Sequence, residues 1–217
     1  MENIVYLIAA ALIPYLVNGI NPAIVMSKMI YHKDIRTLGS KNPGFTNFKR
    51  VFGNRYAWFV FFFDILKALI PILAFRYIFE TDTTLGGQFG AAYSGLFSML
   101  GHVFPVWYKF KGGKGFLVGA AAIGCIDWKT GLVALAIMLV LLAITRYMSL
   151  SVIISSLSCP LSLLYFCSPS LTVEILCILC VALLIIRHKD NIKRLFKGTE
   201  SKFSLVKSSD SKVENNN

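Results

Sequence analysis

Two glycine-rich stretches that carry lysine hold the residues best suited to chemistry: DIRTLGSKNPGFTNFKR at 34–50 and GHVFPVWYKFKGGKG at 101–115. In the second, Gly112, Gly113 and Gly115 can adopt conformations that aim successive backbone amides at an anion. The apolar run after Gly115 begins a helix whose N-terminus favours phosphate, and Lys114 supplies a point charge. In the first, Gly39 and Gly44 permit close approach, Ser40, Asn42, Thr46 and Asn47 offer hydrogen-bonding side chains, and Arg50 offers a two-pronged phosphate clamp. The plainer readings are a capped polar loop for 34–50 and a glycine-rich turn with snorkelling lysines for KGGKG. Both stretches abut long apolar segments. A phosphate site there lies at the edge of a bilayer and suits a substrate with an anionic head and a fatty tail.

Other polar residues are placed for support. Asp64 and Lys67 lie three apart in an apolar run, so they share a helix face and can pair; charges inside a membrane are costly and draw attention to function, although structural pairing is the favoured reading here. His102 closes an apolar run ahead of Pro105, as a capping or supporting histidine. His188 and Asn191 sit together where the last apolar run ends, His32 reads as a solvated loop residue and Glu174 as an interfacial one. Several chemistries lack their signatures. There is no Walker A spacing, no Gly-x-Ser-x-Gly elbow and no histidine followed by aspartate five residues later. Cys177 and Cys180 form a CxxC inside an apolar run, where they read as small apolar residues, and no histidine spacing completes a zinc site.

These residues must be positioned by membrane helices. The chain has 217 residues, of which 56% are hydrophobic and 15% charged, and its mean hydropathy is +0.65. An ordinary soluble domain carries about a quarter charged residues. Apolar runs fall at 4–30, 56–79, 89–106, 116–126, 132–145, 152–167 and 171–187. A straight helix needs roughly 20 residues to cross the hydrocarbon, so about seven spans are expected, in an all-α polytopic membrane protein. The run 116–126 rises only about 18 Å; if it spans, it starts below the membrane surface, with KGGKG inside the protein. A cleavable signal peptide is not expected, because no basic stretch precedes the first apolar run.

The net charge of +11 could suggest nucleic acid, but its distribution argues against that. All 22 lysines and arginines except Lys67, Arg76 and Lys129 fall in alternate loops and the C-terminal tail. The positive-inside rule then places the N-terminus outside and the C-terminus and both glycine-rich stretches in the cytoplasm. Residues 1–190 form the membrane domain, and 191–200 a basic interfacial segment within a helical stretch at 190–198, with Ile192, Leu195 and Phe196 on its apolar face. Residues 201–217, polar and poor in apolar side chains, are expected to be disordered. There is no internal repeat.

Five motifs, in order and with matching apolar spacing, resemble those of the bacterial membrane acyl-phosphate:glycerol-3-phosphate acyltransferases, to about residue 200. They are NGINPAIVMSK (18–28), the loop 34–50, the GH–FP–FKGGKG pattern of 101–115, RYMSLS (146–151) and RHKDNIKRLFKGTE (187–200). Three departures from the family pattern stand out: Lys41 replaces the second glycine of GSGN, Ala68 replaces a glycine after the Asp-x-x-Lys pair, and Phe116, Leu117 and Val118 replace Val-Ala-Thr. The resemblance implies transfer of a fatty acyl group from acyl phosphate to the 1-hydroxyl of glycerol 3-phosphate, giving lysophosphatidic acid and phosphate in phospholipid synthesis. The implied setting is the bacterial plasma (inner) membrane with the active site facing the cytoplasm, and no ATP, metal or other cofactor is needed. By position, Ser40, Arg50, Lys114, His188 and Asn191 are the expected catalytic residues. Gly39, Asn42, Gly44, Thr46, Asn47, Gly112, Gly113 and Gly115 are expected to bind substrate phosphate, with His102, Asp64 and Lys67 in support. An organic-phosphate transporter and a diverged, low-activity paralogue are the alternatives, the latter prompted by the departures.

Overall fold

The computed structural model describes residues 2–203, and all of its regular structure is helical. The helices are α1 (Glu2–Gly19), α2 (Pro22–Tyr31), α3 (Phe45–Phe52), α4 (Ala57–Asp82), α5 (Gly87–Val103), α6 (Phe116–Ile126), α7 (Trp128–Thr145), α8 (Met148–Cys167), α9 (Leu171–Arg187) and α10 (Lys189–Phe196). Each apolar run read from the sequence became helix. The first run is broken. Asn21 accepts a hydrogen bond from the Ile24 amide and Pro22 opens α2, so the chain restarts a helix at that point. Asn18 and Ile20 leave carbonyls at the break, and Lys67 of α4 donates its ammonium to both, at 3.1 and 2.8 Å. The Asn18 side-chain amide donates to the carbonyls of Pro14 and Lys67, tying α1 to α4.

The middle of the bundle is α5, packed against α1, α4, α6 and α9. Its buried Gly90, Ala91, Ala92, Ser94, Gly95, Ser98 and Gly101 let neighbouring backbones come close, as small residues do between membrane helices. At Gly101 the approach is tightest, for a Cβ there would collide with the backbone of Tyr15. The outer surfaces are apolar: α7 exposes Leu132, Leu135, Leu139, Val140 and Ile144, and α4 exposes Phe62, Leu66, Ile70 and Leu73. Four stretches are long and apolar enough to cross a membrane: Asn3–Tyr31, Ala57–Asp82, Trp128–Thr145 and Met148–Cys167. A fifth appears if α9 and α10, bent by 57° at His188, count as one. At 11 residues α6 is a short apolar helix, and α5 has 17 residues.

The helical segment expected at 190–198 is α10. After it the chain folds back: Phe203 donates its amide to the Arg146 carbonyl at 2.7 Å, and Lys49 lies 5.0 Å from the Phe203 ring centroid. Residues 201–203 of the tail expected to be disordered are thus docked on the bundle, while 204–217 lie outside the described residues.

Candidate active site

A cavity of about 500 Å³ opens between the loop before α3, the start of α6 and the turn from α9 into α10. Its lining is polar at Ser40, Arg50, Lys114, His188, Asn191, Arg194 and Glu200 and apolar at Phe61, Phe116, Leu117, Met138, Met148 and Val152. The five residues expected to be catalytic, scattered over 150 positions from Ser40 to Asn191, thus share one chamber. Gly39, Asn42, Gly44, Thr46, Asn47, Gly115, His102 and Asp64 also line it, whereas Gly112, Gly113 and Lys67 do not.

The loop before α3 is held by its own side chains. Asn47 accepts a hydrogen bond from the Ser40 amide at 2.8 Å and donates to the Leu38 carbonyl at 3.0 Å. Asn21 reaches across to donate to the Pro43 carbonyl at 3.0 Å. The Asn47 oxygen and one of its two amide hydrogens are therefore engaged by the loop, so Asn47 shapes the wall and keeps its second amide hydrogen beside the cavity. Among the described residues the Ser40 hydroxyl and the Arg50 guanidinium have no protein hydrogen-bond partner, so both remain open to a ligand.

KGGKG differs from expectation. Gly112 and Gly113 donate their amides to the carbonyls of Val103 and His102, at 3.2 and 3.0 Å. These two glycines cradle no phosphate here; their small size serves packing, since a side chain at Gly113 would run into the His102 ring. His102 in turn rests on the buried pair beneath it. Lys67 Nζ lies 2.8 Å from Asp64 Oδ1 and 3.2 Å from His102 Nδ1. Asp64, Lys67 and His102 thus fix the platform on which KGGKG turns, and the turn presents Lys114 to the cavity. At Gly115, which has φ +86°, α6 begins, and its first turn faces the chamber.

Lys114 donates to the Asn191 side-chain carbonyl, joining segments 77 residues apart. Burial pushes its ammonium down to about 8, with nearby Arg194 acting in the same direction. The Asn191 amide donates to Glu200 Oε1 at 2.6 Å, Ser149 donates to the same oxygen at 2.7 Å, and Arg194 Nε donates to Oε2 at 2.7 Å. Burial raises the Glu200 carboxyl, but these three donors outweigh it and hold it below its ordinary value. His188 Nδ1 is 2.8 Å from the Leu184 carbonyl, so it carries the proton and leaves Nε2 as the acceptor in the neutral ring. Ser149, Arg194 and Glu200 went unassigned in the sequence. The available signal was one glutamate in a strongly basic stretch, where a buried acid is needed to gather donors.

The departures from the family pattern also find their places. Lys41 does not line this chamber; it lines a separate cleft outside it. Ala68 is fully buried in the main core. Phe116 and Leu117 form part of the apolar wall, where no hydroxyl is presented.

The glycerol-3-phosphate acyltransferase family model matches residues 8–198. The glycerol-3-phosphate acyltransferase of Thermoanaerobacter sp. (strain X514) is 37% identical over 197 residues, 91% of this chain and 96% of its own length. That of Actinobacillus succinogenes is 37% identical over 188 residues, 87% of this chain and 90% of its own. Among solved structures, the glycerol 3-phosphate form of PlsY (YgiH), an integral membrane glycerol 3-phosphate acyltransferase, superposes with a TM-score of 0.81 at 32% identity, covering 94% of this chain and 96% of that one. Its lysophosphatidic acid form superposes with a TM-score of 0.79 at 31% identity, covering 91% and 95%. With near-complete coverage by model, relatives and structures alike, this chain belongs to the glycerol-3-phosphate acyltransferase family.

Proposed function

We propose that this protein is an acyltransferase that moves a fatty acyl group from acyl phosphate to the 1-hydroxyl of glycerol 3-phosphate, giving lysophosphatidic acid and inorganic phosphate for phospholipid synthesis. The observation that carries the reading is a single chamber lined both by lysine, arginine and serine and by the apolar side chains of Phe61, Phe116, Leu117, Met138, Met148 and Val152. Relatives named for glycerol 3-phosphate acylation, and PlsY structures in glycerol 3-phosphate and lysophosphatidic acid forms, support it.

Both substrates are anions, so the site must bring like charges together before anything else. Lys114 and Arg50 offset that repulsion, and the chamber holds the reactants in register. The Ser40 hydroxyl donates a hydrogen bond to a substrate oxygen and carries no acyl group. The 1-hydroxyl oxygen attacks the acyl carbonyl carbon, forming the new ester bond. The carbon–oxygen bond to phosphate breaks, and the hydroxyl proton leaves on the departing phosphate. Charge that develops on the carbonyl oxygen is met by donors of the polar lining. Asn191 fixes Lys114, His188 borders the acceptor, and Gly39, Asn42, Gly44, Thr46 and Gly115 shape the phosphate pocket. No cofactor enters the scheme.

The topology that suits this role has seven spans: the five candidates already described, with α5 and the short α6 crossing inside the bundle. The N-terminus lies outside. The cavity faces the cytoplasm of a bacterial plasma membrane, on the side that carries most of the positive charge. Residues 1–190 are the membrane acyltransferase domain and 191–200 the basic interfacial segment. The deciding experiment is phosphate release from palmitoyl phosphate by the purified protein, with and without glycerol 3-phosphate, beside Lys114→Ala. Release that requires the acceptor, yields lysophosphatidate and disappears in the variant is expected. Release without acceptor, together with a trapped acyl-Ser40, overturns direct transfer.

A further inference from the structure

Outside the chamber, a second cleft of about 660 Å³ lies between the turn after α2 and the loop that joins α5 to α6. Six cations line it, Lys28, Arg36, Lys41, Lys109, Lys111 and Arg187, against the single carboxylate of Asp34. That carboxylate is already engaged: Arg36 grips it at 2.7 Å, and this hydrogen bond holds it down to about 2. Lys28 stands 3.7 Å from the same oxygen. Lys41, Lys109 and Lys111 have no carboxylate partner among the described residues. Arg187 Nε is buried and lacks a hydrogen-bond partner there. Such an excess of positive charge in one concavity calls for an anion.

The backbone is also strained here. Of the six non-glycine residues with positive φ among the described residues, Lys41 (60°), Lys109 (55°) and Phe110 (59°) border this one cleft. A left-handed conformation is unfavourable for an ordinary residue, and such strain gathers where a site needs a particular side chain. Lys41 is the lysine found where the family pattern has glycine, so its charge has been placed in a conformation that glycine adopts freely.

The rim identifies the source of the anion. Trp107 and Phe110 stand 55% and 58% exposed beside the lysines, and the Trp107 Nε1 is anchored by donating to the Leu16 carbonyl at 3.0 Å. Exposed aromatic rings next to cations mark the level of lipid headgroups. We propose that this cleft binds the phosphate head of an anionic phospholipid of the surrounding bilayer, with its acyl chains lying over Trp107 and Phe110. The cleft shares no lining residue with the catalytic chamber, and its occupancy does not depend on the acyl-transfer reading.

The test is native mass spectrometry of the full-length protein titrated with phosphatidic acid or phosphatidylcholine in neutral detergent. The variant Lys41→Gly/Lys109→Gly removes two charges and, because glycine suits both backbone positions, also removes strain; loss of binding then cannot be blamed on misfolding. Affinity for phosphatidic acid is expected to fall about tenfold or more in this variant. Lys41→Arg/Lys109→Arg is expected to keep the affinity, and so is Lys114→Ala, whose side chain lines the catalytic chamber and not the cleft. Equal affinity in the glycine variant and the wild type overturns the proposal. So does loss of the lipid preference in Lys114→Ala, or displacement of phosphatidic acid by an equal concentration of inorganic phosphate.

Discussion

Lys67 and Lys114 are both drawn out of solvent, and the contrast between their surroundings separates support from chemistry. Lys67 has two main-chain carbonyls and Asp64 within hydrogen-bonding distance. An ammonium has three donors, so Lys67 is saturated and works as a staple across the break between α1 and α2. Lys114 has one side-chain partner, Asn191, and keeps donors free at the edge of a cavity. A buried lysine whose donors are all taken holds a fold together; one with donors to spare awaits a ligand. Asn47, held by its own loop through its oxygen and one amide hydrogen, differs from Ser40 and Arg50 beside it, whose hydroxyl and guanidinium have no protein hydrogen-bond partner among the described residues.

Substituting the two lysines gives the sharpest break. Lys67→Met leaves the Asp64 carboxylate buried and unpaired and two carbonyls uncapped, with an expected loss of about 3–5 kcal/mol. A lower apparent melting temperature in detergent reports it, and adding Asp64→Asn recovers part. Lys114→Met is expected to leave that melting temperature nearly unchanged and to lower kcat/KM by about 100- to 1,000-fold. If the two outcomes were exchanged, the distinction between staple and ligand would fall.

A smaller effect comes from Glu200→Gln, which takes a charge from three donors at once and is expected to cost about 1–3 kcal/mol. The Glu200 carboxyl lies below its ordinary value of 4.5 in the folded protein. Its stabilising contribution is therefore full above that value and is lost as pH falls through the lower, folded one. An acid titration of melting temperature is expected to flatten over that range in the glutamine variant.

For Lys114, loss of the proton above about 8 is expected to raise KM for glycerol 3-phosphate as pH climbs past that point; a bound dianion draws the proton back, so kcat changes less. The smallest effect is that of Lys41→Gly. Relieving its left-handed backbone, at φ 60°, is expected to raise stability by about 1 kcal/mol with acyl transfer unchanged. A fall in kcat would instead tie Lys41 to the chamber.

Apolar runs made the helices legible, because burial in lipid leaves little else for such stretches to do. The short run at 116–126 was readable as a helix starting among its neighbours, and α6 does start beside the cavity. Three features escaped. The break at 19–21 depends on Lys67, remote in sequence, to cap its carbonyls. Glycine is ambiguous, because the freedom that suits an anion loop equally suits close packing, and at Gly112 and Gly113 packing prevailed. The gathering of Ser40, Arg50, Lys114, His188 and Asn191 was anticipated from their motifs. The network around Glu200 was not, since its partners come from α8, α10 and the segment beyond, which nothing local in the sequence joins.

The position of Glu200 also governs when the site can exist during synthesis. Asn191, Arg194 and Glu200 all follow the last apolar helix, and the chain then docks back onto Arg146 through Phe203. A nascent chain with every earlier helix already inserted still lacks the partner that fixes Lys114. The polar lining is completed last, so only a fully threaded bundle can assemble it.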